Sequence, residues 1–125
     1  MGTRCLTYVY EGKNPLMCLY RQFDGYPSGH GSELADFLNK IEVGNGISGK
    51  REIGDFANGM GCLAAQLIAH FKKSVGGFYM FSIENGGGGV DYEYHVYENK
   101  IVVKDPDDVV FSGTLDDFAE YCKAD

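Results

Sequence analysis

Apolar residues along the chain follow two periodicities, and their order predicts a mixed architecture of strands and helices. A period of two is typical of a strand with one buried face, and it marks residues 5–11, where Leu6, Tyr8 and Tyr10 alternate with their neighbours. Similar runs between turn residues predict further strands over residues 16–23, 78–84, 90–98, 101–104 and 109–111. The link between the first two strands is short, so we expect them to form an antiparallel hairpin.

Three other segments carry apolar residues at helical spacing, over residues 34–41, 60–71 and 115–122. Ser32 is the predicted N-cap of the first helix. Thr114 is the predicted N-cap of the last helix, with Asp117 as its capping-box partner. Residues 44–54 are polar and glycine-rich and predict a surface loop. We therefore expect an α+β fold, with an antiparallel sheet of five to six strands and two to three helices packed on one face.

Composition and charge narrow the function classes. The 125 residues, 44% of them apolar, suit a single globular domain over residues 1–125. The net charge is −7 and the cations are scattered, which argues against a nucleic-acid surface, because such a surface needs a basic face. The chain shows no signal stretch and no run of roughly 18 apolar residues, so we expect a cytoplasmic protein with no membrane association and with reduced thiols.

The cysteines and histidines lack the spacing of a metal site. None of the four cysteines belongs to a CxxC pair, and the three histidines show no HExxH pattern. Ser28 or Cys62 with His30 and Asp24 would supply the residue types of a catalytic triad, but no spacing brings them together. The sequence therefore predicts no catalytic residue, no metal and no cofactor.

Residues 21–32, with the sequence RQFDGYPSGHGS, break the periodicity between a predicted strand and a predicted helix. Backbone N–H groups and the helix dipole favour an anion at a helix start, and glycines let the backbone approach a ligand closely. Arg21 could pair with a phosphate, and Tyr26 offers a stacking face. The spacing matches neither a P-loop nor a dinucleotide fingerprint. The alternative is an ordinary strand-to-helix loop.

Two further segments carry candidate ligand contacts. Gln66 shares one side of the second predicted helix with Cys62 and His70, because their spacing is i, i+4 and i+8. Gln66 there could read a base edge or a ribose, or the three could be the polar shoulder of a half-buried helix. The other segment is the tyrosine-rich strand, which could stack a base or could simply alternate between core and solvent; its candidates are Tyr92, Tyr94, His95 and Tyr97.

The stretch CLYRQFDGYPSGHGSELADFL at residues 18–38, together with ANGMGCLAAQ at residues 57–66, resembles a group of small phage and prokaryotic proteins that share the RQFDGYPSGHG-type segment. No activity is established for that group, so the resemblance transfers no catalytic residue. It implies a phage or prokaryotic cytosolic setting, which for a phage-encoded protein is the host cytoplasm. By analogy with small phage proteins that capture nucleotide immune signals, it makes an anti-defence role a hypothesis.

These observations predict a small-molecule binding protein, a phage-type sponge that sequesters a phosphate-bearing nucleotide signal and acts as a homo-oligomer. One alternative is a hydrolase or transferase on a nucleotide-like ligand, with His30 as general acid or base. Another is a protein that binds and inhibits a host protein. The predicted ligand-binding residues are Arg21, Asp24, Tyr26, Ser28, Gly29, His30, Gly31, Ser32, Asn58 and Gln66.

Overall fold

A six-stranded sheet and three helices organise the structure, a computed structural model that describes residues 2–44, 56–85, 89–105 and 107–124. The α+β prediction is confirmed. The strand order is β5-β2-β1-β6-β7-β8, and β3 pairs with β4 in a separate two-stranded sheet. The elements are β1 Cys5–Glu11, β2 Asn14–Arg21, α1 Ser32–Asn39, β3 Glu42–Gly44, β4 Phe56–Asn58, α2 Gly59–Phe71, β5 Phe78–Phe81, β6 Tyr92–Val96, β7 Ile101–Asp105, β8 Asp108–Gly113 and α3 Leu115–Ala124.

The predicted hairpin of β1 and β2 is confirmed. The two strands pair antiparallel, and Gly12 takes a positive φ of 61° in the turn between them. The second strand ends at Arg21, which lies opposite Cys5. Directly paired residues point to the same face of a sheet, so the Arg21 side chain lies on the face that carries Cys5.

The sheet is mostly antiparallel, but β1 and β6 run parallel, a pairing that the short predicted links did not indicate. Strand β5 pairs with the outer edge of β2, so the chain must pass β2 and β1 before it reaches the other edge of β1. Val90, just before β6, packs against Leu6, Tyr8 and Cys18. Val90 thereby covers part of one sheet face.

One large core cluster joins all three helices to the sheet. Leu34 of α1, Leu67 of α2 and Phe118 of α3 are fully buried in it, together with Val9 and Tyr94 of the sheet. The intervening strand residues point the other way, because side chains alternate along a strand, and they form the second cluster around Leu6, Tyr8 and Cys18. Cys5, Cys18 and Cys122 are buried thiols.

The two predicted helix caps have different outcomes. Thr114 Oγ1 accepts the backbone N–H of Asp117 at 3.2 Å, so the predicted cap of α3 is confirmed. The predicted cap at Ser32 is wrong, because a π-helical turn over Pro27–Gly31 leads directly into α1 and Ser32 is already its first residue. Of the predicted loop over residues 44–54, Gly44 ends β3, and the remainder lies outside the described residues. None of the described helices has the length and apolar character that crossing a membrane requires.

The central position of Leu67 gives a first prediction. Its side chain has no exposed area, so Leu67→Ala opens a cavity and should cost about 2–5 kcal/mol of unfolding free energy. Leu16, 36% exposed, is the matched control, and Leu16→Ala should cost less than about 1 kcal/mol. Urea denaturation followed by circular dichroism measures both. Equal losses for the two variants would contradict the burial described here.

Candidate functional site

The segment predicted to cradle an anion uses its own backbone donors internally. The N–H groups of residues 29–32 all donate to carbonyl oxygens of residues 24–29, and the Asp24 carbonyl accepts from the His30 N–H at 2.8 Å. Asp24 holds a positive φ of 63°, which turns the chain into the π-helical turn. The start of α1 is therefore continuous with helical backbone, and it does not present an open row of N–H groups.

The glycines of this segment approach the protein itself. A Cβ added to Gly29 would lie 2.7 Å from the Asp24 carbonyl oxygen, and one added to Gly31 would lie 2.7 Å from Cys122 Sγ. Both distances are shorter than side chains tolerate, so contact with the backbone of the turn accounts for glycine at position 29 and packing against α3 for glycine at position 31.

His30 is the centre of the segment and has no exposed area. Arg21 Nη1 lies 3.2 Å from His30 Nδ1, and because arginine only donates, Nδ1 must be the unprotonated acceptor. His30 Nε2 therefore carries the hydrogen and donates to Thr7 Oγ1 at 2.7 Å. The ring also packs against Phe71 and Tyr94, with centroids 5.0 Å away in each case.

Burial, together with the smaller effect of the positive charge of Arg21, lowers the pKa of His30 to about 3. Both ring nitrogens are engaged, and the ring is enclosed by the sheet and α2. His30 is therefore placed to hold the loop against the sheet, and it lacks the substrate access that a general acid or base needs.

Arg21 is 7% exposed, and its terminal nitrogens form hydrogen bonds with other side chains of the protein. Its two terminal nitrogens donate to the Glu33 carboxylate of α1 at 3.2 and 3.3 Å, and its guanidinium lies 5.0 Å from the centre of the Phe78 ring. Arg21 Nε has no hydrogen-bond partner among the described residues. The sequence did not identify Glu33 as this partner.

The remaining predicted residues are dispersed. Asp24, Tyr26 and Ser28 lie at the surface of the turn, where the Tyr26 hydroxyl is 3.5 Å from Asp24 Oδ1. Ser32 Oγ lies 3.5 Å from the Pro27 carbonyl oxygen, and the exposed Asn58 immediately precedes α2. The structure thus brings Arg21 and His30 into contact but places Asn58 and Gln66 elsewhere, on the α2 side of the molecule.

A groove between α1 and α2 contains cationic, amide and aromatic side chains that could contact a ligand. Its volume of about 310 Å³ lies at the lower end of the range for small-molecule pockets, roughly 300–1,000 Å³. Apolar and aromatic side chains alternate in it with cationic and amide groups. The residues that line it are Phe37, Lys40, Ile41, Gln66, Ala69, His70 and Lys73.

Gln66 is the buried polar group of this groove, with 8% of its surface exposed. Cys62 Sγ donates to Gln66 Oε1 at 3.0 Å, which confirms that the two side chains share one side of the helix. Gln66 Nε2 is buried and has no hydrogen-bond partner within the described ranges. A buried donor without an acceptor costs about 1–3 kcal/mol, so an acceptor that reached it would stabilise the protein.

Positive charge surrounds the other end of the groove. Lys40 follows the last residue of α1, Lys73 lies two residues beyond the end of α2, and neither forms an ion pair with a described residue. Partial burial lowers the pKa of His70, and Lys73 and Lys40 add to this effect, whereas Glu33 opposes it. The sequence placed Lys73 favourably at the end of the second helix but identified neither Lys73 nor Lys40 as a ligand contact.

No family model, curated protein or solved structure matches the chain. Among the residues described, no group of three or more histidine, cysteine, aspartate or glutamate side chains is arranged to hold a metal ion.

The tyrosine-rich strand divides between the two sheet faces. Tyr94 packs in the large core cluster, whereas His95 stacks on Tyr8 on the opposite face with centroids 4.8 Å apart. The Tyr10 hydroxyl donates to His95 Nδ1 at 2.7 Å, and His95 Nε2 donates to Glu93 Oε1 at 3.0 Å. Burial raises the pKa of Tyr10 and lowers that of His95, so both stay neutral and the chain of hydrogen bonds stabilises the second cluster.

The lowered pKa of His30 predicts how the unfolding free energy of the protein depends on pH. The unfolded chain binds a proton near pH 6.5 and the folded protein only near pH 3, so stability should fall as the pH falls between these values. From pH 6.5 to about pH 5 the loss from His30 should be roughly 2 kcal/mol. Urea denaturation across this range measures it.

His30→Gln keeps hydrogen-bonding groups but cannot titrate, so its stability should depend less steeply on pH than that of the wild type, whatever its value at neutral pH. His70→Gln, at the exposed histidine of the groove, is the matched control and should keep most of the dependence. An unchanged slope in His30→Gln would show that His30 is accessible to protons in the folded protein.

Proposed function

We propose that this protein binds a small phosphate-bearing molecule in the groove between α1 and α2 and holds it chemically unchanged. The observation that carries the proposal is Gln66, which lines the groove and whose buried Nε2 has no acceptor among the described residues. Lys40 and Lys73 add two positive charges to the same groove. A ligand with an anionic group and a hydrogen-bond acceptor would satisfy both features.

The overall charge of −7 is compatible with such a local cationic site. Charges beyond the Debye length, about 8 Å at physiological salt, contribute little to the potential inside a groove. The nearest described carboxylate that acts on His70 is Glu33, and the bidentate Arg21 neutralises it. Lys40 and Lys73 are the charged residues that line the groove itself.

The geometry supports binding rather than turnover. The Cys62 thiol is engaged with Gln66, and His30 is enclosed in the core. Among the described groove residues no nucleophile is hydrogen-bonded to a base, which is the arrangement that covalent catalysis requires. In the phage or prokaryotic cytosol that the resemblance implies, a protein that binds a nucleotide signal without cleaving it would act as a sponge.

Native mass spectrometry of the protein purified from infected or expressing cells tests the proposal. We expect a co-purified phosphate-bearing molecule that is recovered intact after denaturation. The same spectrum counts the subunits and so tests the expected homo-oligomer. Recovery of a cleaved or group-transferred product would instead support the hydrolase or transferase alternative.

The two lysines of the groove predict which variants should bind a phosphate-bearing ligand more weakly. Lys40→Gln and Lys73→Gln should each weaken the binding of adenosine monophosphate or a related mononucleotide about ten-fold, because each removes a charge-assisted contact to phosphate. Isothermal titration at low salt measures the affinity. Lys13→Gln, in the exposed turn between β1 and β2, is the control and should bind as the wild type does. Equal affinities for all three variants would place the ligand outside the groove.

A further inference from the structure

The groove arranges its polar groups in a fixed order along α2. Gln66 and His70 are four residues apart, which places them about 6 Å apart along the helix axis. Lys73 follows beyond the end of the helix, and Lys40 stands at the end of α1. Along α2 the amide of Gln66 therefore precedes His70 and the ammonium group of Lys73 follows it, so a ligand that contacts both groups carries its acceptor and its anion at separate ends.

The wall between these two ends is aromatic and apolar. The rings of Phe37 and His70 lie 4.7 Å apart between centroids at an angle of 31°, and Ile41 and Ala69 complete the lining. Ala69 leaves room beside His70, because its side chain is a single methyl group. A flat ring packs well against such a surface, whereas a flexible or strongly hydrated group gains little from it.

The size of the groove limits what can occupy it. At about 310 Å³ it lies at the bottom of the range for small-molecule pockets, so it suits one ring system with one anionic group. A cyclic dinucleotide, with two rings and two phosphates, exceeds what the described residues enclose.

We propose that the ligand is of the mononucleotide class, a planar heterocycle with a carbonyl or ring-nitrogen acceptor at Gln66 Nε2 and a single phosphate between Lys40 and Lys73. This inference rests on the proposed function of the same groove. It adds that Gln66 determines specificity for the ring, whereas the lysines bind any phosphate. Gln66 is a suitable reader because its Oε1 is already engaged by Cys62, which fixes the orientation of the amide.

The experiment compares ligands that share the phosphate and differ in the ring. Isothermal titration of the full chain uses the four ribonucleoside monophosphates, ribose 5-phosphate, phenyl phosphate and a cyclic dinucleotide. We expect at least one mononucleotide to bind about ten-fold or more tightly than ribose 5-phosphate, which lacks the ring, and than phenyl phosphate, whose ring lacks an acceptor.

Gln66→Leu supplies the decisive variant, because it removes the donor but fills a similar volume. It should abolish the preference for the mononucleotide and leave the affinity for ribose 5-phosphate unchanged. Its melting temperature should stay within a few degrees of the wild-type value, because removal of the unpaired Nε2 offsets the loss of the hydrogen bond from Cys62 to Oε1. Lys73→Gln should instead weaken every phosphate by a similar factor.

The outcomes separate the two proposals. If ribose 5-phosphate binds as tightly as every mononucleotide, or if Gln66→Leu keeps the preference, the anion site stands and the assignment of the ring to Gln66 is wrong. If a cyclic dinucleotide binds more tightly than all mononucleotides, the limit on size is wrong. If no phosphate in the panel binds, the proposed function fails together with this inference.

Discussion

His30 connects the loop to the sheet through two hydrogen bonds that require a neutral imidazole. Its Nδ1 accepts from Arg21 while its Nε2 donates to Thr7, and a protonated ring would turn the first contact into a repulsion between two donors. Because the ring has no exposed area, these contacts cannot be exchanged for water. The turn over Pro27–Gly31, and therefore the start of α1, depends on this buried group.

The side chains of Arg21 and His30 also contact the two helices that form the groove. Arg21 continues to Glu33 on α1, so the helix that supplies Phe37 and Lys40 is tied to the last residue of β2. His30 also packs against Phe71, the last residue of α2 and the neighbour of His70. Both walls of the groove are thus fixed by one polar cluster in the core, although no member of that cluster lines the groove. A residue of the loop can accordingly affect binding by positioning the helices.

The two sheet faces solve the burial of polar groups differently. Towards the helices Thr7, His30 and Arg21 form one hydrogen-bond network, in which Arg21 Nε lacks a partner among the described residues. On the opposite face Tyr8, Tyr10 and Tyr20 pack their rings in or against the second cluster, and the Tyr10 hydroxyl donates to His95 Nδ1. Gln66 is the exception that lines the groove, because its amide nitrogen, like Arg21 Nε, is buried without a partner among the described residues. That exception is the strongest indication of a ligand in the part of the chain that the structure describes.

The sequence by itself determined the elements and the class of fold, because periodicity and turn chemistry are local properties. It also identified Gln66 and His70 as neighbours, since spacing along one helix fixes which side chains share a side. The parallel pairing of β1 with β6 depended on a crossover between distant segments, which no local pattern records. The partners of Arg21 and His30, and the meeting of Lys40 with Lys73, likewise came from packing. Whether a polar residue binds a ligand or stabilises the core depends on which groups surround it, and only the tertiary structure decides that.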